Sequence, residues 1–100
     1  MDLENITGFE WDEGNKYKSE EKHKVSIKEA EEVFESDPLI TIKTGITHEE
    51  RYQLFGQTKS GKLISVIFTL RNNKIRVISA RPQSQKERNF YNGKLKEEGA

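Results

Sequence analysis

Lys62-Leu63-Ile64-Ser65-Val66-Ile67-Phe68-Thr69-Leu70-Arg71 runs into Asn72-Asn73 and then into Lys74-Ile75-Arg76-Val77-Ile78-Ser79-Ala80-Arg81. Two apolar-rich segments around a pair of asparagines read as a β-hairpin, because Asn tolerates the positive φ of a two-residue turn. The first segment is apolar almost throughout, as expected of a central strand covered on both faces. The turn sets the register, and the register sets the faces. Arg71 then pairs with Lys74, Leu70 with Ile75 and Thr69 with Arg76. Ile64, Val66, Phe68, Leu70, Ile75 and Val77 share the packing face. Ser65, Ile67, Thr69 and Arg71 share the opposite face with Lys74, Arg76, Ile78 and Ala80. Strict alternation points Arg81 to the packing face at the end of its strand.

Upstream, Lys59-Ser60-Gly61 suits a three-residue loop with Gly in the left-handed position. Such a loop pairs Leu54 with Val66, Tyr52 with Phe68 and Arg51 with Thr69. Arg51, Thr69 and Arg76 then form one row across three strands. Like charges on one sheet face repel, so two arginines in a row call for an anion or a carboxylate there. Glu50, Glu87 or a bound partner would supply it. The alternative is a solvated face with surface ion pairs, each worth roughly 0–1 kcal/mol.

Further out, Leu39-Ile40-Thr41-Ile42 is another strand candidate, interrupted by Gly45. Ser26-Ile27-Lys28-Glu29 is a capping-box signature, followed by Ala30, Val33 and Phe34 at helical spacing. Asp37-Pro38 ends that helix. Phe9-Glu10-Trp11-Asp12 alternates as a short strand does, and Asp12 then caps a thinly apolar helix to about His23. Pro82 stops the last strand, and a terminal helix follows from Ser84 with Phe90, Tyr91 and Leu95 inward. The expected fold is α+β: a small antiparallel sheet of three to five strands, two N-terminal helices and a C-terminal helix, with the helices on one face. One hundred residues make one domain, 1–100, with 1–8 and 94–100 as loose termini.

Composition narrows the function. Apolar residues make up 32%, or 39% with the seven glycines, below the roughly 45–50% (glycine included) usual for globular chains, while charged residues reach 34%. The net charge is zero, which argues against a protein that simply coats nucleic acid. The signs are nevertheless segregated. Most acids fall in residues 1–37, whereas 59–81 carries Lys59, Lys62, Arg71, Lys74, Arg76 and Arg81 with no acid. The absence of cysteine excludes disulfides, thiolate metal sites and thiol catalysis, and is compatible with the cytoplasm. The start lacks a signal-peptide pattern, and no apolar run approaches the ~20 residues that span a bilayer.

His48, beside Glu49-Glu50-Arg51, has the near-neutral pKa that general acid–base chemistry needs. Arg51, Arg76 and Arg81 are suited to holding a phosphate and stabilising charge that develops on it. Together these residues match cleavage of RNA by its own 2′-hydroxyl, which takes a base, an acid and phosphate neutralisation but no metal or cofactor. The competing reading of His48 is an exposed loop histidine. His23 reads as a helix-junction residue. Phe9 and Trp11 read as packing, and Tyr91 either packs or reaches the anion site. The histidine spacing matches no metal motif, and no phosphate-loop or dinucleotide fingerprint is present.

Taken in order, several motifs resemble one family. Phe9-Glu10-Trp11-Asp12-Glu13-Gly14-Asn15 is similar to its opening. Lys22-His23-Lys24-Val25-Ser26 with Glu29-Ala30 resembles its Lys-His-Gly-Val-Ser motif, with Lys24 where the family has Gly. Glu49-Glu50-Arg51-Tyr52 with Gly56, Phe68-Thr69 with Arg71, residues 75–81, Glu87-Arg88 and Tyr91 complete it. The family is BrnT, the toxins of type II toxin–antitoxin pairs, and the resemblance runs from about Phe9 to Tyr91. It implies a RelE-like fold, metal-independent RNA cleavage and neutralisation by a BrnA-like antitoxin. It also implies that DNA is bound only through the antitoxin, and it supports site roles for His48, Glu50, Arg51, Arg76 and Arg81. A second reading is a catalytically weak or inactive binding module within an autoregulatory repressor complex.

Overall fold

The computed structural model describes residues 7–36, 40–44 and 51–99. Its elements are β1 (Gly8–Phe9), α1 (Lys18–His23), α2 (Ile27–Val33), β2 (Ile40–Thr44), β3 (Arg51–Gln57), β4 (Leu63–Arg71), β5 (Lys74–Pro82) and α3 (Gln85–Gly99). The strands form one sheet in the order β1-β5-β4-β3-β2. The fold is α+β with two early helices and a C-terminal one, as the pattern predicts. The sheet is mixed rather than wholly antiparallel, because β1 pairs parallel to β5.

Asn72 and Asn73 take φ of 52° and 63°, so the two-residue turn forms and Arg71 faces Lys74. Gly61 has φ 92°, and the Thr58 N–H donates to the Lys62 carbonyl at 2.9 Å to close the three-residue loop. The loop sets Arg51 opposite Thr69, Tyr52 opposite Phe68 and Leu54 opposite Val66. Both registers agree with the expectation, and β4 is the central strand.

One irregularity changes a face. Phe68 pairs with Val77 but Ile67 pairs with Ser79, so Ile78 is the extra residue of a β-bulge. Beyond it the alternation is inverted. Ala80 is expected beside Arg76 but instead sits in the core, fully buried. Arg81 pairs with Ser65 and so joins the face of Arg76 rather than the packing face.

The packing face carries Leu54, Ile64, Val66, Phe68, Ile75, Val77 and Ala80, covered by Val25, Ala30 and Val33 of the α2 region. Phe68 is at its centre, edge-on to Phe34 at 5.0 Å and stacked on Tyr52 at 5.4 Å between ring centroids. Gly56 of β3 lets α2 lie close, since a Cβ there would meet the Val33 carbonyl oxygen at 2.9 Å. The capping box of α2 forms: the Glu29 N–H donates to Ser26 Oγ at 3.1 Å, and the Ser26 N–H to Glu29 Oε1 at 3.1 Å.

α3 departs from the one-face expectation. Phe55 and Gln53 point to the face opposite Leu54, and both meet α3, Phe55 through Phe90 (5.9 Å) and Gln53 through Glu87 (3.1 Å). The sheet therefore has helices on both sides. Tyr91 is fully buried, whereas Phe90 stays 41% exposed.

The expected helix from Asp12 begins only at Lys18. The Asp12 carboxylate accepts the Gly14 N–H at 2.8 Å, and the Asn15 amide oxygen accepts the Asp12 N–H at 2.7 Å. These local bonds hold residues 13–17 in turns and compete with the helix. Asn15 and Ser19 then protect the β5 edge. Asn15 Nδ2 donates to the Val77 carbonyl at 3.0 Å, and Ser19 Oγ accepts the Ala80 N–H at 2.8 Å. α1 ends at Lys24 in the left-handed region, φ 59° and ψ 32°.

Candidate functional site

On the face opposite the main core, Arg51, Thr69 and Arg76 lie side by side on β3, β4 and β5. The row extends one strand further. The parallel register Gly8 to Lys74 and Phe9 to Ile75 brings Glu10 beside Arg76, and the Glu10 N–H donates to the Ile75 carbonyl at 2.8 Å. Neighbouring strands are spaced about 4.7–4.9 Å, so the Arg51 and Arg76 backbones are about 10 Å apart. Thr69 between them is buried, and Arg51 is exposed.

Arg76 is held by two carboxylates. Nη1 donates to Asp12 Oδ2 at 2.7 Å and to Glu10 Oε1 at 3.1 Å, and Nη2 donates to Asp12 Oδ1 at 3.1 Å. The bond from Arg76, with the Gly14 N–H behind it, holds the Asp12 carboxyl below its usual range. Asp12 is thus ionised at neutral pH and acts as an acceptor. Asp12, first of all, raises the Arg76 pKa in return. These contacts use three N–H groups. A guanidinium has five, and the pair left over, Nε–H and the second Nη2–H, forms one edge of the fork.

Arg81 is engaged differently. Nη1 donates to Glu87 Oε1 at 2.7 Å and Nη2 to Glu87 Oε2 at 2.9 Å, a bidentate pair. Glu87 also accepts from Gln53 Nε2 at 3.1 Å and from the Ser84 N–H at 2.8 Å, where it completes the cap of α3. Arg81, and then Ser84, push the Glu87 carboxyl down to about 2. Gln53 Nε2 in turn reaches Ser65 Oγ at 3.0 Å. The network fastens α3 to the sheet face.

Of the residues expected from sequence, Arg51, Arg76 and Arg81 share a face, and Arg81 does so through the bulge. His48 and Glu50 lie outside the described residues. Sequence reasoning missed Glu10 and Asp12 as partners of Arg76. Their spacing of two on a strand-like segment was the available signal, since it puts both on one side. His23, read as a junction residue, closes α1 and is half-buried between two surface depressions. Among the described residues no group of three or more His, Asp or Glu side chains is arranged to hold a metal ion. No helix among them is long and apolar enough to cross a membrane.

Comparison with known proteins adds the family. The model for the ribonuclease toxin BrnT of type II toxin–antitoxin systems matches residues 11–87, more than half of the chain. No curated protein matches it. The matched span contains Asp12, Arg51, Arg76, Arg81 and Glu87, the residues that build the row and the α3 attachment. The chain belongs to the BrnT family of ribonuclease toxins of type II toxin–antitoxin systems.

Proposed function

We propose that this toxin acts in the cytoplasm as a metal-independent endoribonuclease with a RelE-like fold and is neutralised by a BrnA-like antitoxin. DNA is reached only through that antitoxin. The observation that carries the catalytic reading is the geometry of Arg76: two carboxylates clamp one side of its guanidinium while the Nε/Nη2 edge is left for a two-point contact to a phosphate.

In this reading Arg76 and Arg51 bind the scissile phosphodiester. His48 or Glu50 takes the proton of the 2′-hydroxyl as its oxygen attacks phosphorus. The 5′-oxygen leaves with a proton from the other group or from water. The products are a 2′,3′-cyclic phosphate and a 5′-hydroxyl. The arginines stabilise the charge that builds on the phosphoryl oxygens during attack. Arg81 serves the site by holding α3 through Glu87, and like Arg76 it keeps its Nε–H and second Nη2–H outside the contacts to Glu87 and the Pro82 carbonyl.

A second reading has its own support. Glu10 and Asp12 bring two negative charges to the one positive charge of Arg76, and Glu87 balances Arg81. A face neutralised in this way suits a weak catalyst retained as a subunit of a repressor complex. Expression in growing cells separates the two readings. The catalytic reading expects growth arrest by the wild-type chain and normal growth with an equally expressed, folded Arg76→Ala variant. Unchanged arrest by that variant would remove Arg76 from the chemistry, and absence of arrest by the wild type would favour the binding module.

A further inference from the structure

The chain has a second charged feature, away from the Arg51–Thr69–Arg76 row. A groove of about 440 Å³ opens where α1 ends and the N-terminal end of β4 meets the C-terminal end of β5. Its floor is aliphatic, formed by Val25, Leu63, Ile64 and Pro82. Its rim is cationic, formed by Lys24, Lys62 and Arg88 with His23. His23 also borders an adjoining depression of about 140 Å³, where Lys18 and Lys22 continue the positive strip.

The charges on this strip are unbalanced. Lys62 meets Glu29 at 2.7 Å, and Arg88 donates to the Gln83 carbonyl at 3.1 Å and to Gln85 Oε1 at 2.7 Å. Lys18, Lys22 and Lys24 have no ion-pair partner among the described residues, and the two acids of the same stretch, Glu20 and Glu21, line neither depression. The positive charge is thus directed at the two depressions. The surface asks for an anionic ligand, and its floor asks for an apolar one. No Phe, Tyr or Trp lines either depression, so His23 is the one ring there and the row of stacking rings that single-stranded nucleic acid uses is missing. A buried aliphatic anchor inside a charged rim is the pattern of a protein–protein contact.

We infer that this groove receives an acidic peptide segment of the neutralising partner protein, with an aliphatic side chain seated over Val25 and Ile64 and carboxylates on the Lys18–Lys24 strip. The inference rests on the toxin–antitoxin reading above and adds the surface and the chemistry of the contact. The contact lies apart from the arginine row. Its electrostatic part acts mainly on association and weakens with salt.

The test is affinity between this chain and the protein encoded beside it, measured by calorimetry with purified components. The variant Lys18→Glu/Lys22→Glu/Lys24→Glu changes exposed residues only, with folding checked by circular dichroism. The inference expects affinity to fall by at least about tenfold, while RNA cleavage by the free chain stays at the wild-type level. Unchanged affinity in the variant overturns the inference and leaves the toxin–antitoxin reading standing. Lost cleavage with an intact complex assigns the groove to RNA and also overturns it. A wild-type pair that does not associate overturns both.

Discussion

Replacing Glu87 with Gln isolates the charge that ties α3 to the sheet. Gln keeps an amide oxygen for the Ser84 N–H, so the cap of α3 survives the change. It loses the negative charge facing both Arg81 nitrogens at 2.7 and 2.9 Å. The fall of the Glu87 pKa from 4.5 to about 2 sets the scale. Taken whole, it corresponds to roughly 3 kcal/mol of native stability at neutral pH. Arg81 is 36% exposed, and solvent screening there reduces the expected loss to about 1–2 kcal/mol. For a domain of this size that lowers Tm by roughly 5–10 °C. The sign follows from the depressed pKa. The contribution is complete above about pH 4.5 and disappears as pH falls towards 2, where the folded carboxyl itself protonates. Thermal unfolding of wild type and Glu87→Gln at pH 7, 4 and 2 checks it. The gap is expected to be widest at pH 7 and to close by pH 2. An equal gap at all three values, or none at pH 7, would refute the role given to this pair.

Other changes probe the frame of the site. Gly56→Ala puts a methyl group 2.9 Å from the Val33 carbonyl oxygen, and urea unfolding should show a loss of about 1–3 kcal/mol as α2 is pushed from the sheet. Lys24→Gly relieves a left-handed residue worth about 1 kcal/mol or more, partly offset by the freer unfolded chain, for a net gain of about 0–1 kcal/mol. A clear loss of stability in that variant would contradict the backbone conformation at the end of α1. Asp12→Asn removes the strongest acceptor of Arg76. Because the Asp12 pKa is depressed, the contribution of its charge is present above the ordinary carboxylate range and lost on acidification through the folded value. Amide exchange over residues 12–17 should speed up in that variant at pH 7, and the difference from wild type should shrink in acid.

The hairpins were legible because short loops carry their own geometry. Asn72-Asn73 and Lys59-Ser60-Gly61 each restrict the backbone locally, and the whole Arg51–Thr69–Arg76 row follows from them. The bulge was not legible. Ile78 lies within Ile75-Arg76-Val77-Ile78-Ser79-Ala80-Arg81, where nothing in residue type marks an extra position, yet it decides the face of Arg81. Glu10 and Asp12 escaped for a different reason. β1 is two residues long and pairs in parallel with β5, 66 positions away, with no turn to fix its register. The side of the sheet chosen by α3 depends on Phe55 and Gln53 meeting Phe90 and Glu87, contacts between segments whose separate patterns are compatible with either face. Lys24 shows the reverse case: its departure from the family's glycine falls at a position whose φ is 59°, the conformation that glycine adopts most easily.

The central claim is that Arg76 acts on phosphate, with Glu10 and Asp12 orienting it rather than replacing the ligand. The most direct measurement is cleavage of a fluorescent RNA oligonucleotide in EDTA by wild type, Arg76→Ala and the double variant Glu10→Gln/Asp12→Asn. The double variant disrupts the same ion pairs but leaves the arginine, so it separates chemistry from anchoring of the N-terminal segment. The account predicts cleavage by wild type to 2′,3′-cyclic phosphate ends, a loss of about 100-fold or more in Arg76→Ala, and cleavage retained in the double variant. Wild-type cleavage that stops in EDTA, or an Arg76→Ala variant that cleaves as fast as wild type, would contradict it.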